Sequence, residues 1–241
     1  MEKLTAFISS RLASAGTVSD ELAGILTTMI FNGDFPPNYM FPNETVFCKQ
    51  LGVGRNSLRE TYKILESTGL ITRTKRGTFV NDRDTVIKNM PISLALRLTQ
   101  NAKVLEYRRM IEVGIVAYAA ERATDENIKN MEMYINKTLE NKFDPVERIT
   151  NDYLFHLEIS KSTQNDLFVT LMQPICDFML DPATIEKSRD RIINNTENAV
   201  AHHRNILEAI KHKDKAESQK AMFAHMSDYG GYFLTLNPDK S

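Results

Sequence analysis

Between Phe41 and Val80 the hydrophobic period changes once, from helical to extended, and that change limits what this part of the chain can become. The stretch reads FPNETVFCKQLGVGRNSLRETYKILESTGLITRTKRGTFV. A short helix pattern begins after Pro42, with Asn43 placed to cap it, because an asparagine side chain accepts one of the orphan N–H groups of a helix start. Val46, Phe47 and Leu51 supply its apolar face. Leu51-Gly52-Val53-Gly54 makes a tight turn, where glycine adopts positive φ at no steric cost. A second helix follows from about Arg55, with Leu58, Thr61, Tyr62 and Leu65 on one side at i, i+3, i+4 and i+7. Asn56, Arg59 and Lys63 fall on the opposite side. After Gly69 the period becomes two: Leu70–Thr74 and Thr78–Val80 flank Lys75-Arg76-Gly77, a hairpin with a basic tip. Helix, turn, helix and basic hairpin describe a winged helix-turn-helix.

The polar face of that second helix offers a planar fork, an amide and an ammonium, the groups that pair with base edges and phosphates. Residues 49–76 carry Lys49, Arg55, Arg59, Lys63, Arg73, Lys75 and Arg76 against only Glu60 and Glu66. The whole chain has a formal net charge of −1, so the basic excess is local, as an electrostatic footprint for phosphates should be. The set expected to face a DNA duplex is Arg55, Asn56, Ser57, Arg59, Lys63, Lys75, Arg76 and Gly77. The plainer alternative is a solvated charged face on a small helical domain.

A chain of 241 residues is long enough for two domains. Residues 1–16 are expected to be an extension, a short amphipathic helix on Leu4, Ile8 and Leu12 or a disordered arm. Residues 17–80 form the winged domain, opened by a helix over Val18–Asn32 that Gly33 closes. Residues 81–91 read as a linker, and 92–241 as an all-α antiparallel bundle, making the chain mostly α. Candidate helices there run about 92–101, 103–123, 125–142, 145–162, 165–180, 183–194, 196–212 and 214–235. No run approaches the roughly 18 apolar residues of a membrane span, and no secretory signal is evident. Cys48 and Cys176 have no partner at metal or redox spacing, which suits buried thiols in a reducing cytoplasm.

All five histidines lie in the helical region. Asp152 and His156 are at i, i+4 and share a helix face. His203 lies 11 residues before Asp214 and His225 lies 11 after it. If the last two helices turn near Lys213-Asp214, each imidazole is roughly 16 Å from the turn, so an antiparallel hairpin sets them level. If the Asp152–His156 helix packs against that hairpin, one carboxylate and three imidazoles can converge, a donor set that suits Zn²⁺, Ni²⁺ or Mn²⁺. Taken singly, each residue is better explained by a surface hydrogen bond or ordinary packing, and it is the matched spacing about the turn that favours the set of four. His202 and His212 are read in that plainer way.

The run Phe41-Pro42-Asn43-Glu44, Gly52-Val53-Gly54-Arg55, Arg59-Glu60, Gly69-Leu70 and Arg76-Gly77-Thr78-Phe79-Val80 resembles the N-terminal domain of GntR-type bacterial transcription factors. Two positions depart from that family's pattern. Thr45 stands where an arginine that reads a base is usual, and Gly54 stands where a serine or threonine is usual. Residues 103–230 resemble the FCD effector domain of the FadR-type branch, through Glu106-Tyr107-Arg108, Ala119-Ala120-Glu121-Arg122-Ala123, Asp152-x-x-Phe155-His156, Asn165, His203-x-x-Ile206-Leu207-x-Ala209-Ile210 and Ala221-x-x-x-His225. The resemblance implies a dimeric, ligand-responsive repressor or activator that binds a double-stranded operator. It implies Asp152, His156, His203 and His225 as metal ligands, a small carboxylate as effector, and Arg108 as the cation that meets it. For Arg108 the alternative is a surface salt bridge with Glu106 or Glu112. No catalytic residue is expected. The rival readings are a metallohydrolase-like domain fused to a DNA-binding module, and an effector-independent DNA-binding dimer.

Overall fold

The computed structural model describes residues 17–99 and 101–234. The extension expected at 1–16 lies outside them. The chain divides into two compact units between Leu98 and Thr99.

In the first unit, α1 (Val18–Phe31), α2 (Glu44–Leu51) and α3 (Arg55–Ser67) are followed by a hairpin of β1 (Ile71–Thr74) and β2 (Gly77–Val80). Thr17 caps α1, and Asn43 caps α2 by accepting from the Val46 N–H at 3.0 Å. Gly52 ends α2 with φ of +69°, the left-handed conformation that the turn into α3 requires. The strands pair antiparallel, Ile71 with Val80 and Thr74 with Gly77, so Lys75 and Arg76 form a two-residue tip. Met40 bridges Phe79 and extends this small sheet. Leu58, Thr61, Tyr62 and Leu65 face the interior as their spacing requires, and Phe41 gathers Phe35, Phe47 and Tyr62 at ring separations of 5.0, 5.5 and 5.9 Å. One expectation fails: Val46 is 44% exposed, and Cys48 takes the inward place beside Phe47 and Leu51. An eight-residue helix shows the core only one narrow stripe, and positions 47, 48 and 51 fill it.

The expected linker also holds structure. Residues 83–89 form α4 (Arg83–Asn89), capped by Asp82; the helix expected over 92–101 is α5 (Ile92–Leu98), which falls in the first unit. Val86 is buried in the first core, with Met90 and Leu94 packed against it. Polar lettering at 81–84 suggested a linker because a helix N-terminus is itself built from such residues.

The second unit contains α6 (Asn101–Arg122), α7 (Asp125–Glu140), α8 (Pro145–Ser162), α9 (Asp166–Met179), α10 (Pro182–Asn194), α11 (Thr196–Lys211) and α12 (Lys215–Leu234). Asp144 caps α8 with Pro145 in its first turn, which fixes where the helix starts and hence the phase of every later residue. Helices α6, α7, α9 and α10 all pack on α8, and α12 packs on α6 and α11. As a result α8 is buried on nearly every side.

Gly69 ties the recognition half of the first unit to α4. Its φ is +71°, and a Cβ added there would stand 2.6 Å from Asn89 Cβ. Gly69→Ala is expected to destabilise the first unit by about 1–3 kcal/mol, through left-handed strain and displacement of α4. Urea titration followed by far-ultraviolet circular dichroism checks this.

Candidate functional site

Two groups of side chains can do chemistry. The first is the exposed face of α3 with the hairpin tip. Arg55, Asn56, Arg59, Lys63, Lys75 and Arg76 are exposed, and Ser57 and Gly77 are half-buried. Much of this basic face is already engaged. Glu44, at the start of α2, accepts from Arg59 Nε at 2.8 Å and from Arg73 Nη2 at 3.0 Å. The Arg73 guanidinium lies 5.7 Å from the centre of the Tyr62 ring. Arg55 donates to Thr45 Oγ1 at 3.2 Å, and Lys63 to Glu60 at 2.7 Å. One carboxylate therefore links the helix of the turn to the wing. Sequence reasoning counted Arg73 as charge and missed Glu44 in this role, because a bridge across 15 and 29 residues leaves no periodic signal.

The second group lies at the centre of the helical unit. His156 of α8, His203 of α11 and His225 of α12 bring their ring nitrogens together, with ligand atoms all within 4.8 Å of one another. The turn after α11 places Lys213 at φ +56°, and Asp214 then accepts from the Glu217 N–H at 2.9 Å to start α12. This hairpin sets His203 and His225 side by side, with ring centres 4.7 Å apart. His156 Nε2 and His225 Nε2 are 3.2 Å apart, and Phe155 stacks on His203 at 4.3 Å. All three imidazoles are buried. Asp152 stands beside this set rather than in it. Its Oδ1 is 3.7 Å from His203 Nε2 and 3.7 Å from Arg148 Nη1, and it makes no hydrogen bond.

A ring of buried charge surrounds the histidines. Glu112 of α6 receives Arg108 Nε on Oε1 at 2.7 Å and contacts His156 Nδ1 through Oε2 at 2.6 Å. Arg108 also donates to the Tyr153 hydroxyl at 3.2 Å. The salt bridge of Arg108 with Glu112, read from sequence as the surface alternative, exists but is buried. Arg148 and Tyr153 were not singled out, and Glu112 was named only as a surface partner of Arg108. An i, i+4 pair such as Arg108–Glu112 or Arg148–Asp152 was legible, but its spacing is the same whether the helix face meets water or the core. His202 is 3.6 Å from Asp228, and His212 Nδ1 is 2.7 Å from the Glu208 carbonyl, which fits their plainer reading.

The donor set fits a divalent ion. Both ring nitrogens of His203 and Asp152 Oδ1 are buried with no hydrogen-bond partner, the condition a shared cation resolves. Two nitrogens bound to one ion at about 2.0–2.1 Å stand roughly 3.0–3.4 Å apart, which brackets the His156–His225 separation. Burial first, then neighbouring imidazoles, holds His203 and His225 well below the ordinary histidine value, leaving their lone pairs available. Burial alone would raise Glu112, but Arg108 and then His156 outweigh it and hold the carboxyl below its usual range. Burial, then Glu112, pushes the Cys176 thiol up to about 12, so it offers no thiolate near neutral pH.

Because His203 and His225 ionise far less readily folded than unfolded, the unfolded chain takes up protons below about pH 6.5 that the folded chain refuses. Metal-free protein is therefore expected to keep full stability above that pH and to lose it as pH falls toward about 5.5. Glu112 does not contribute in that window, since its shift acts at lower pH. Scanning calorimetry of chelator-treated protein checks the slope, and replacing both histidines by leucine should flatten it.

Residues 103–228 match the family described as FCD domain, and residues 18–80 match the bacterial regulatory proteins of the gntR family. The HTH-type transcriptional regulator LutR of Bacillus subtilis (strain 168) is 24% identical over 216 residues, covering 85% of this chain and 98% of that protein. The galactonate operon transcriptional repressor of Escherichia coli (strain K12) is 25% identical over 210 residues, covering 84% and 91%. Among solved structures, the one described as "Lar controls the expression of the Listeria monocytogenes agr system and mediates virulence" aligns with a TM-score of 0.61 at 15% identity, covering 93% of this chain and all of that one. These families and relatives are regulators of transcription rather than enzymes. No helix among the described residues is long and apolar enough to cross a membrane. With both of its halves matched, this chain belongs to the GntR family of bacterial transcription regulators, as a member with a GntR DNA-binding domain and an FCD effector domain.

Proposed function

We propose that this protein is a homodimeric, cytoplasmic repressor whose affinity for its operator is set by a divalent ion and a small carboxylate bound in the helical unit. The observation that carries this reading is the buried triad His156, His203 and His225, with Asp152 beside it. Those four residues would hold the ion, with Zn²⁺, Ni²⁺ or Mn²⁺ suited to the donors. When bound, the ion supplies open coordination positions for carboxylate oxygens. Glu112 Oε2 stands 2.6 Å from His156 Nδ1, which leaves Nε2 on the side of the other imidazoles. Arg108, held by Glu112 and Tyr153, contributes fixed positive charge on the same side. Support for a carboxylate effector comes from the relative named for galactonate, a sugar acid.

For DNA, the proposed contacts are those of α3 and the wing. Arg59 and Asn56 suit base edges, with Ser57 between them on the helix; Arg55, Lys63, Lys75 and Arg76 suit phosphates, and Gly77 lets the wing backbone approach closely. The bond from Arg59 to Glu44 joins groups that are 57% and 27% exposed, so it can exchange for a base at little cost. A single winged domain contacts few base pairs, and a two-fold dimer on a two-fold operator supplies the rest. Light scattering at micromolar concentration should report a dimer; a monomer both with and without DNA counts against it.

Arg59→Ala is expected to weaken specific binding by about 1–3 kcal/mol and to relax base preference, while Lys63→Ala weakens all sequences alike. Operator titrations at fixed salt check both, and unchanged affinity for Arg59→Ala removes α3 from the groove.

The combined His203→Ala and His225→Ala variant is expected to lose its metal by elemental analysis and its effector response, yet still bind DNA. A stoichiometric metal with a wild-type response in that variant places the switch elsewhere.

A further inference from the structure

We infer that Arg148 makes the buried centre a receptor for a dianion, a small dicarboxylate, in preference to a monocarboxylate. This rests on the metal reading above and adds to it a residue and a ligand class. Arg148 sits one helical turn before Asp152 on α8 and is 1% exposed. A guanidinium carries five N–H donors, and buried charges are stable only when paired and hydrogen-bonded. Arg148 falls short of that. Its Nη1 is 3.7 Å from Asp152 Oδ1, beyond hydrogen-bond length, and its buried Nε has no partner.

The shortfall is concentrated in one place. Asp152 Oδ1 and both ring nitrogens of His203 also lack partners, and Asp152 Oδ1 is 3.7 Å from Arg148 and from His203 alike. A cation, a carboxylate and an imidazole thus stand close to one another without bonding. Arg108, by contrast, is bonded to Glu112 at 2.7 Å and to Tyr153 at 3.2 Å. Of the two buried arginines on this site, Arg148 is the one with an uncommitted edge. A carboxylate fits that edge, because a guanidinium fork and two carboxylate oxygens match in plane and spacing.

Charge points the same way. Arg108 balances Glu112, and Arg148 balances Asp152. Imidazoles are neutral when they ligate. A divalent ion therefore brings two positive charges into a buried site, and a dianion cancels both where a monoanion leaves one. One carboxylate of the ligand serves the histidine side, and the other pairs with Arg148.

The test uses full-length protein loaded with Mn²⁺ and calorimetric titration of acids paired by carbon skeleton: 2-hydroxybutyrate with malate, glycerate with tartronate, and galactonate with galactarate. Wild type is expected to bind at least one dicarboxylate at least about tenfold more tightly than its monocarboxylate partner. Arg148→Met should erase that preference while metal content stays stoichiometric and monocarboxylate affinity is little changed. Arg148→Lys keeps the charge without the fork and should fall between. If every monocarboxylate equals or exceeds its partner in wild type, the inference is overturned, and this arm needs no variant to fold. It is also overturned if Arg148→Met keeps the wild-type preference, or if it loses the metal together with the ligand, since Arg148 would then serve only to position Asp152. Failure of the metal reading shows separately, as retained metal in the His203→Ala, His225→Ala protein.

Discussion

A carboxylate that water cannot reach has to be matched by cations, and Glu112 is such a carboxylate. It spends one oxygen on Arg108 of its own helix and the other on His156 of α8. Much of the second unit follows from that division. The bond to Arg108 keeps the guanidinium beside Tyr153, so a buried positive charge has a fixed address. The contact lies at His156 Nδ1 and leaves Nε2 on the side of His225, 3.2 Å away. A group that contacts one ring nitrogen of an imidazole orients the other, and here that group comes from a different helix than the imidazole. Without Glu112, two cationic or polar groups in the core would lose their common acceptor at once.

The same pairing of arginine with carboxylate serves an opposite purpose in the first unit. Glu44 holds Arg59 and Arg73 at 2.8 and 3.0 Å, yet Arg59 is more than half exposed. Exposed pairs contribute little to stability, because water competes for both partners. They do cut the number of rotamers a long side chain explores, so the basic face is partly ordered before it meets a duplex. Glu112 cannot exchange its arginine without desolvation cost, whereas Glu44 can. Burial alone separates a pair that fixes a site from a pair that keeps a contact ready.

What could be read from the sequence was whatever repeats or caps. Asn43 caps its helix and Pro145 opens α8, both as read, and the alternation around Lys75-Arg76 gave the wing. The equal spacing of His203 and His225 about Asp214 gave their proximity, because a helical hairpin converts equal counts into equal heights. Cys48 is buried as expected, and Val46 was placed on the inner face wrongly because four apolar letters in eight leave the helix phase open. The segment 81–91 hid a helix because its capping residues look like a linker. Arg148 was invisible for a deeper reason. On α8 almost every face is inside, so amphipathic patterning, which separates core from surface on most helices, has nothing to separate.

That all-round burial also bears on how a ligand at this centre can be felt. A ligand shifts a conformational equilibrium only by binding the two states unequally. The groups that would meet it come from four helices: Arg108 and Glu112 from α6, Arg148, Asp152 and His156 from α8, His203 from α11 and His225 from α12. A change in the distances among them must move at least one helix against its neighbours, since close-packed interiors switch between arrangements rather than deform smoothly. Helix α6 is the first element of the second unit, starting three residues after α5 ends the first, and α12 packs along it. The residue pair that orders the histidines therefore sits on the helix with the shortest covalent path to the DNA-binding unit. Along the covalent chain α8, α11 and α12 all follow α6, so the covalent route from His156, His203 and His225 to α3 runs through α6.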